Sequence, residues 1–180
     1  MITRNDTDIL LAIRKNPENG FRLLMAKYKE AVYWHIRRLV VSHADAQDAA
    51  QETFVRIFRS FSQFKGDTSL TAWVYRIATN EALRLLSRRQ DEQVSLDSPD
   101  ISLCGMAADS YVDYSDLETV RLQQAILALP TKQQLAFNLR YYNELGYDEI
   151  AAITGSTTDS VKACYHIAKE KIIKYMNLNN

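Results

Sequence analysis

Residues 147–172, YDEIAAITGSTTDSVKACYHIAKEKI, decide the fold. Two helices that meet at a sharp turn need a small residue inside the first and a glycine four positions later. A β-branched aliphatic must follow six positions beyond, and Ala151, Gly155 and Val161 meet that spacing. Glycine takes positive φ without steric cost, and alanine leaves room for the second helix to approach. Ser156, Thr157 or Thr158 can cap that helix. On it, Val161, Tyr165, Ala168 and Ile172 predict the buried side, while Lys162, His166 and Lys169 are predicted on the opposite face. Lys171 and Lys174 extend a basic tail. This is the pattern of a helix-turn-helix, whose second helix meets major-groove edges and phosphates. The plainer alternative is a helical hairpin with a solvated polar face, and His166 gains meaning only from the motif around it.

Helical periodicity continues upstream. Leu117, Leu122, Ala125, Ile126 and Leu129 form a stripe that Pro130 stops, and helices are predicted at roughly 131–144, 147–154 and 157–176. Earlier in the chain, Phe21, Leu24, Met25, Tyr28, Val32, Ile36 and Leu39 mark one amphipathic helix in 18–42. Ala46, Ala49, Ala50, Thr53, Phe54, Ile57 and Phe61 mark another in 45–63. Lys65-Gly66-Asp67-Thr68-Ser69 then breaks the pattern as a turn whose Thr or Ser can cap the next helix. That helix is predicted to run to about Arg89, with Val74, Ala78, Ala82 and Leu85 inward. From Gln90 to about Asp113 periodicity is lost in a stretch with Pro99, Gly105 and many acidic residues, which predicts a linker. The fold class is all-α: a bundle of three or four helices over 1–90, an acidic flexible linker over 91–116, and a second helical domain over 117–180.

Composition narrows the class of function. Of 180 residues, 47% are hydrophobic and 24% charged, which predicts globular domains rather than disorder. No apolar run nears the ~20 residues of a membrane span, and charges interrupt the apolar part of the N-terminus, unlike a signal peptide. Cys104 and Cys164 lie far apart without CxxC spacing, which predicts a reducing, cytoplasmic setting and no zinc knuckle. There is no glycine-rich phosphate loop, no HExxH and no His/Cys/Asp cluster, so neither an enzyme nor a bound metal or cofactor is expected. The formal net charge is zero, yet residues 1–90 carry a net +6, residues 91–118 a net −8 and the remainder +2. Two mildly basic blocks around an acidic strip fit two polyanion-binding modules, although solubility alone can account for such charges.

The helix after the 65–69 turn mixes aromatic and basic groups. Arg76, Asn80, Arg84 and Arg88 recur every four residues, with Trp73 one turn ahead and Tyr75 close by. Arginines neutralise phosphates and aromatic faces stack on unpaired bases, a combination suited to single strands. A core tryptophan beside a solvated arginine face is the plainer alternative. On the preceding helix Asp48, Gln51, Glu52, Val55 and Arg59 lie opposite the core stripe; a valine among carboxylates suggests a protein-docking surface, although a lone exposed valine is ordinary.

Together these segments resemble the extracytoplasmic-function (ECF) sigma factors of bacterial RNA polymerase. DAQDAAQETFVRIFRSFSQFKGDTSLTAWVYRIATNEALRLL is similar to their second conserved region, with its D-x-x-Q-E-x-F run, F-x-G-D loop and W-x-Y-R-I-A-x-N helix. LPTKQQLAFNLRYYNELGYDEIAAITGSTTDSVKACYHIAKEKI resembles their fourth. The resemblance implies that Asp48, Gln51, Glu52, Phe54 and Val55 dock on the clamp helices of core RNA polymerase. It implies that Lys65, Gly66, Asp67, Thr68 and Ser69, with Trp73, Tyr75, Arg76, Asn80 and Arg84, melt and read the −10 element of promoter DNA. A flipped base would enter the 65–69 loop. Thr158, Ser160, Lys162, Ala163, His166 and Lys169 would contact the −35 duplex, and the linker would thread toward the polymerase channels. A membrane-associated anti-sigma factor is a further implied partner, and a small-molecule substrate is not.

Two departures stand out. Leu70 occupies a place where the family often has an aromatic residue, and Ala163-Cys164-Tyr165-His166-Ile167 lacks both arginines of the frequent S-R-x-x-R run. The rival reading is a helix-turn-helix regulator acting without polymerase, which leaves the Trp73 helix and the Asp48–Arg59 face without a task.

Overall fold

The computed structural model describes residues 5–95 and 117–178, in two compact units. All regular structure among the described residues is helical, and no helix among them is long and apolar enough to cross a membrane.

The N-terminal unit contains α1 (Asp6–Lys15), α2 (Pro17–Val40), α3 (His43–Ser60), a 3-10 turn (Phe61–Gln63) and α4 (Leu70–Ser95). The Asn16 side chain accepts from the Asn19 N–H at 3.2 Å and Pro17 follows at the first helical position, so α2 starts where sequence demands it. Ser69 caps α4 by accepting from the Ala72 N–H at 3.0 Å. Gly66, at φ +75°, lets the connecting loop reverse. Leu24, Val32 and Ile36 of α2, Ala46, Ala49 and Ile57 of α3, and Val74, Ala78 and Ala82 of α4 are buried together. Alanines at the α3 and α4 contacts let the helix backbones approach closely.

The helix that the apolar stripes did not mark is α1. It buries only Ile9 and Ile13, and its docking depends on Gly20 of α2, where a Cβ would come within 2.2 Å of the Ile13 side chain. At its start the Asp6 carboxylate accepts from Lys27 Nζ at 2.6 Å and from the Tyr28 hydroxyl at 2.7 Å, both on α2, and from Thr71 Oγ1 of α4 at 3.1 Å. Burial raises the Asp6 pKa, but these hydrogen bonds and the Lys27 charge outweigh it and leave the carboxyl below its ordinary value.

Helix α4 continues to Ser95, so the first residues of the expected linker are helical backbone; the rest of that linker lies outside the described residues. Leu85, expected inward, is only partly buried.

The C-terminal unit contains α5 (Leu117–Leu127), α6 (Thr131–Tyr141), α7 (Tyr147–Thr154) and α8 (Thr158–Leu178). Ala125, Ile126, Leu129, Phe137, Ala168 and Ile172 form its core. Helix α6 ends three residues before the expected 144. Glu144 adopts φ 55°, a left-handed position that glycine usually holds, and the Leu145 N–H returns to the Leu139 carbonyl at 3.1 Å, one residue further back than the usual helix-ending bond. Arg140 Nη1 donates to the Leu145 carbonyl at 2.9 Å and lies 4.9 Å from the Tyr147 ring centre, which fixes the α6–α7 turn.

Candidate nucleic-acid interface

The α7–α8 turn forms as its spacing requires. Gly155 adopts φ 65°, ψ 29°, its N–H bonds to the Ala151 carbonyl, and nothing would obstruct a Cβ there. Glycine is therefore needed for its dihedral freedom rather than for space. Ser156 N–H also returns to Ala151 O at 3.1 Å, and of the three candidate caps Thr157 is the one used, its Oγ1 accepting from Ser160 N–H at 3.2 Å.

Val161, Ala168 and Ile172 are buried and Tyr165 partly so, as expected. The phase of α8 refines the exposed side. At about 100° per residue, Lys162 and Lys169 fall on the flank of the buried stripe, whereas Ala163 is diametrically opposite it. His166 and Ile167 lie to either side of Ala163, and Ser160 precedes it by one turn. All are exposed, and Ile167, unmarked by the sequence reading, keeps 41% of its surface in solvent. Thr158 is half-buried at the helix start. Lys169 Nζ lies 6.0 Å from the Tyr165 ring centre, while Lys162 pairs with Asp159 at 3.8 Å and His166 faces Glu170 at 3.7 Å. The outermost surface thus sets Ala163 and Ile167 beside the polar His166 and Glu170, with Lys162 and Lys169 at one edge.

In the N-terminal unit, Arg76 and Asn80 are exposed on α4, and Arg84 and Trp73 are partly so. Trp73 packs edge-on against Phe61, ring centres 5.8 Å apart, and beside Phe64 at 5.2 Å. The indole is therefore anchored to the bundle while keeping part of its surface in solvent. Lys65, Gly66, Asp67 and Ser69 are exposed and Thr68 is half-buried. Tyr75 departs from the expected placement: it is 5% exposed and sits edge-on to His35, 5.2 Å between ring centres. One residue either way on a helix turns a side chain by more than a quarter circle, and Arg76 takes the outward place instead.

On α3, Asp48, Gln51 and Val55 are exposed and Glu52 half-buried, all opposite the core stripe. Phe54 is buried, because its helical phase puts it with Ala50 and Ile57. Its contribution to the face is support from beneath.

A hollow of about 390 Å³ runs between α3 and α4, lined by Glu52, Arg56, Arg59 and Gln63 on one side and Ile77, Asn80 and Glu81 on the other. Glu81 is its buried acid, 4% exposed, and its two oxygens each hold one guanidinium at 2.5 Å: Arg56 Nε and Arg84 Nη2. No apolar stripe or motif marks that triad, since its key contact crosses from one helix to the other.

Each of the two units matches a model of a known protein family. The Sigma-70 region 2 family model matches residues 24–92, and the Sigma-70, region 4 model matches residues 119–172. The chain is 28% identical to the RNA polymerase sigma-H factor of Pseudomonas aeruginosa, covering 97% of this chain and 95% of that protein. It is also 28% identical to the ECF RNA polymerase sigma-E factor of Escherichia coli K12, covering 93% and 92%. Among solved structures, the fold is similar to the sigma factor RpoE from Bartonella quintana, solved with the anti-sigma factor NepR, at TM-score 0.75 and 21% identity over 89% of this chain and 98% of that one. It is similar also to CnrH, solved with the cytosolic domain of CnrY, at TM-score 0.72 and 21% identity over 96% and 99%. Two sigma-70 regions in order, one built on the α4 helix and one on the α7–α8 turn, place this chain in the ECF group of RNA polymerase sigma factors.

Proposed function

We propose that this sigma factor divides its work between its two units. Residues 117–180 hold the −35 element as duplex, and residues 1–90 dock on the polymerase and melt and read the −10 element. The observation that supports the first assignment most is the solvent-facing side of α8, where Ala163 and His166 point away from the buried Val161, Ala168 and Ile172 and Ser160 is exposed on the flank. Thr158 and the flanking Lys162 and Lys169 contact phosphate, which sets position rather than sequence preference.

In the first unit the Lys65–Ser69 loop receives a flipped base, while Trp73, Arg76, Asn80 and Arg84 follow the separated strand. Tyr75 supports that surface from the core through His35. Asp48, Gln51, Glu52 and Val55 meet the polymerase clamp helices, with Phe54 packed behind them. The protein acts in the cytoplasm by binding alone, with no catalytic step, cofactor or small-molecule substrate of its own. An anti-sigma factor restrains it, for which the Bartonella sigma factor captured with the anti-sigma factor NepR lends support by analogy; its association with a membrane rests on the family resemblance alone.

Sequencing the RNA made by bacterial core polymerase with and without this chain tests the reading. Discrete new 5′ ends preceded by shared −35 and −10 sequences are expected. End-initiated transcripts alone, as core makes by itself, defeat it and leave a polymerase-independent DNA-binding role.

A further inference from the structure

We propose that Glu81 is a positioning residue for promoter opening: its buried carboxylate fixes Arg56 of the α3–α4 hollow and Arg84, three residues further along α4, so that they receive the backbone of the separated strand. This rests on the assignment of α4 to single-stranded DNA. Glu81 accepts Arg56 Nε on one oxygen and Arg84 Nη2 on the other, each at 2.5 Å, and Arg56 Nε also lies 3.4 Å from Glu52. An arginine held by one edge of its fork still has donors to offer, because the guanidinium carries five N–H groups in a fixed plane. Both arginines keep nearly half of their side-chain surface in solvent, 46% and 40%, whereas the acid between them is buried. Asn80 and Arg59 line the same hollow. The carboxylate thus costs the surface one positive charge and in return removes the freedom of two long side chains.

These two effects make opposite predictions for Glu81→Gln, which keeps the shape and loses the charge. A surface governed by net charge binds strand more tightly once the acid is neutral. A surface governed by positioning binds less tightly, by roughly threefold to tenfold, the cost of ordering one arginine side chain at the moment of binding.

The measurement is the affinity of holoenzyme, made from core polymerase and the full chain, for a fluorescent promoter selected by that holoenzyme and pre-opened across its −10 element. It is made for wild type, Glu81→Gln, Arg84→Ala and the double variant. Weaker binding by Glu81→Gln, with a smaller further loss when it is added to Arg84→Ala because only Arg56 is then left to be ordered, is the expected result. A merely structural role gives additive losses and overturns the proposal, as does equal or tighter binding by Glu81→Gln. No effect of Arg84→Ala overturns it too and removes Arg84 from the −10 surface, whereas loss with Arg84→Ala alone defeats only the role of Glu81. Should Glu81→Gln not fold, Glu81→Asp keeps the charge but shortens the reach, and passes through the same cycle with a loss expected.

Discussion

His35 and Thr79 share a 2.8 Å hydrogen bond between α2 and α4, in the fully buried centre of the N-terminal unit, directly beneath the helix that carries Trp73 and Asn80. Burial, with the nearby Arg38 charge, pushes the His35 pKa from 6.5 down to about 3. The ring is therefore neutral in the fold and protonated in the unfolded chain once pH drops below its ordinary value.

A depressed histidine stabilises the fold above the unfolded pKa and loses that contribution as pH falls from 6.5 towards 3. His35→Gln keeps a neutral partner for Thr79 and has no proton to gain. At about pH 5 the wild type should have lost about 2 kcal/mol more than this variant, each relative to its own neutral-pH stability. Urea titrations of the first unit at several pH values check this, and parallel pH curves would refute it.

Asp6 ties α1 to both α2 and α4, so Asp6→Ala should destabilise the N-terminal unit by about 1–3 kcal/mol through the lost charged hydrogen bonds. Because the folded pKa is lowered, the contribution is present above the unfolded value of 3.8 and fades as pH falls below it. Amide exchange should quicken at Ile9 and Ile13 first and remain unchanged in α6 to α8. Unaltered exchange in α1 would mean that Gly20 packing alone holds it.

Glu52→Lys reverses a charge on the outer face of α3 without touching the core stripe. It should weaken binding to core polymerase while far-UV circular dichroism stays the same. The new lysine also faces Arg56, which Glu52 approaches at 3.4 Å, so melting temperature is recorded alongside. Unchanged affinity for core would remove Glu52 from the docking surface.

How much of this was legible in sequence depends on how local each feature is. The stripes of α2, α3 and α8 and the Ala151–Gly155–Val161 spacing are set by neighbours three to six residues apart, and the structure follows them. Helix α1 escaped because its two buried isoleucines become a stripe only once Gly20 admits them. Phe54 and Tyr75 show the converse: a motif names a run of residues, but helical phase sends some of that run inward. Glu81 reads as one more charge in a polar helix until α3 places Arg56 against it. Ile167 registered only as an absent arginine, although its exposure is what marks it.

Trp73 separates a packing role from a strand-opening role. Trp73→Ala removes its contacts with Phe61 and Phe64 and should cost some stability, measured by thermal melting. Beyond that, open-complex formation should slow more than initial duplex binding, since stacking on an unpaired base is worth about 1–3 kcal/mol. A promoter pre-melted across the −10 element should recover part of the lost rate. No recovery on the bubble template would leave Trp73 as a packing residue alone.

Helix α8 makes the sharpest forecast, because an exposed apolar pair sits among polar groups on its outer side. Lys169 stands at the edge near Tyr165, where a phosphate contact sets position without reading bases. Lys169→Ala should weaken all upstream sequences alike and lower the salt slope by about one phosphate. His166 can donate to or accept from a purine edge, so His166→Ala should reorder upstream preferences, at about 1–3 kcal/mol for the favoured one. Beside it, Ala163 and the exposed Ile167 form an apolar pair one turn apart, complementary to the C5-methyl group of thymine. Replacing single −35 thymines by deoxyuridine deletes that methyl and nothing else. At one or two positions it should weaken wild-type holoenzyme and leave Ile167→Ala indifferent. Equal sensitivity of both proteins to deoxyuridine would place the methyl contact elsewhere on α8, and insensitivity of both would mean that the apolar pair reads no base. A randomised −35 selection on the His166 variant completes the test, since preferences identical to wild type would move the base contacts to Thr158, Ser160 or Ala163.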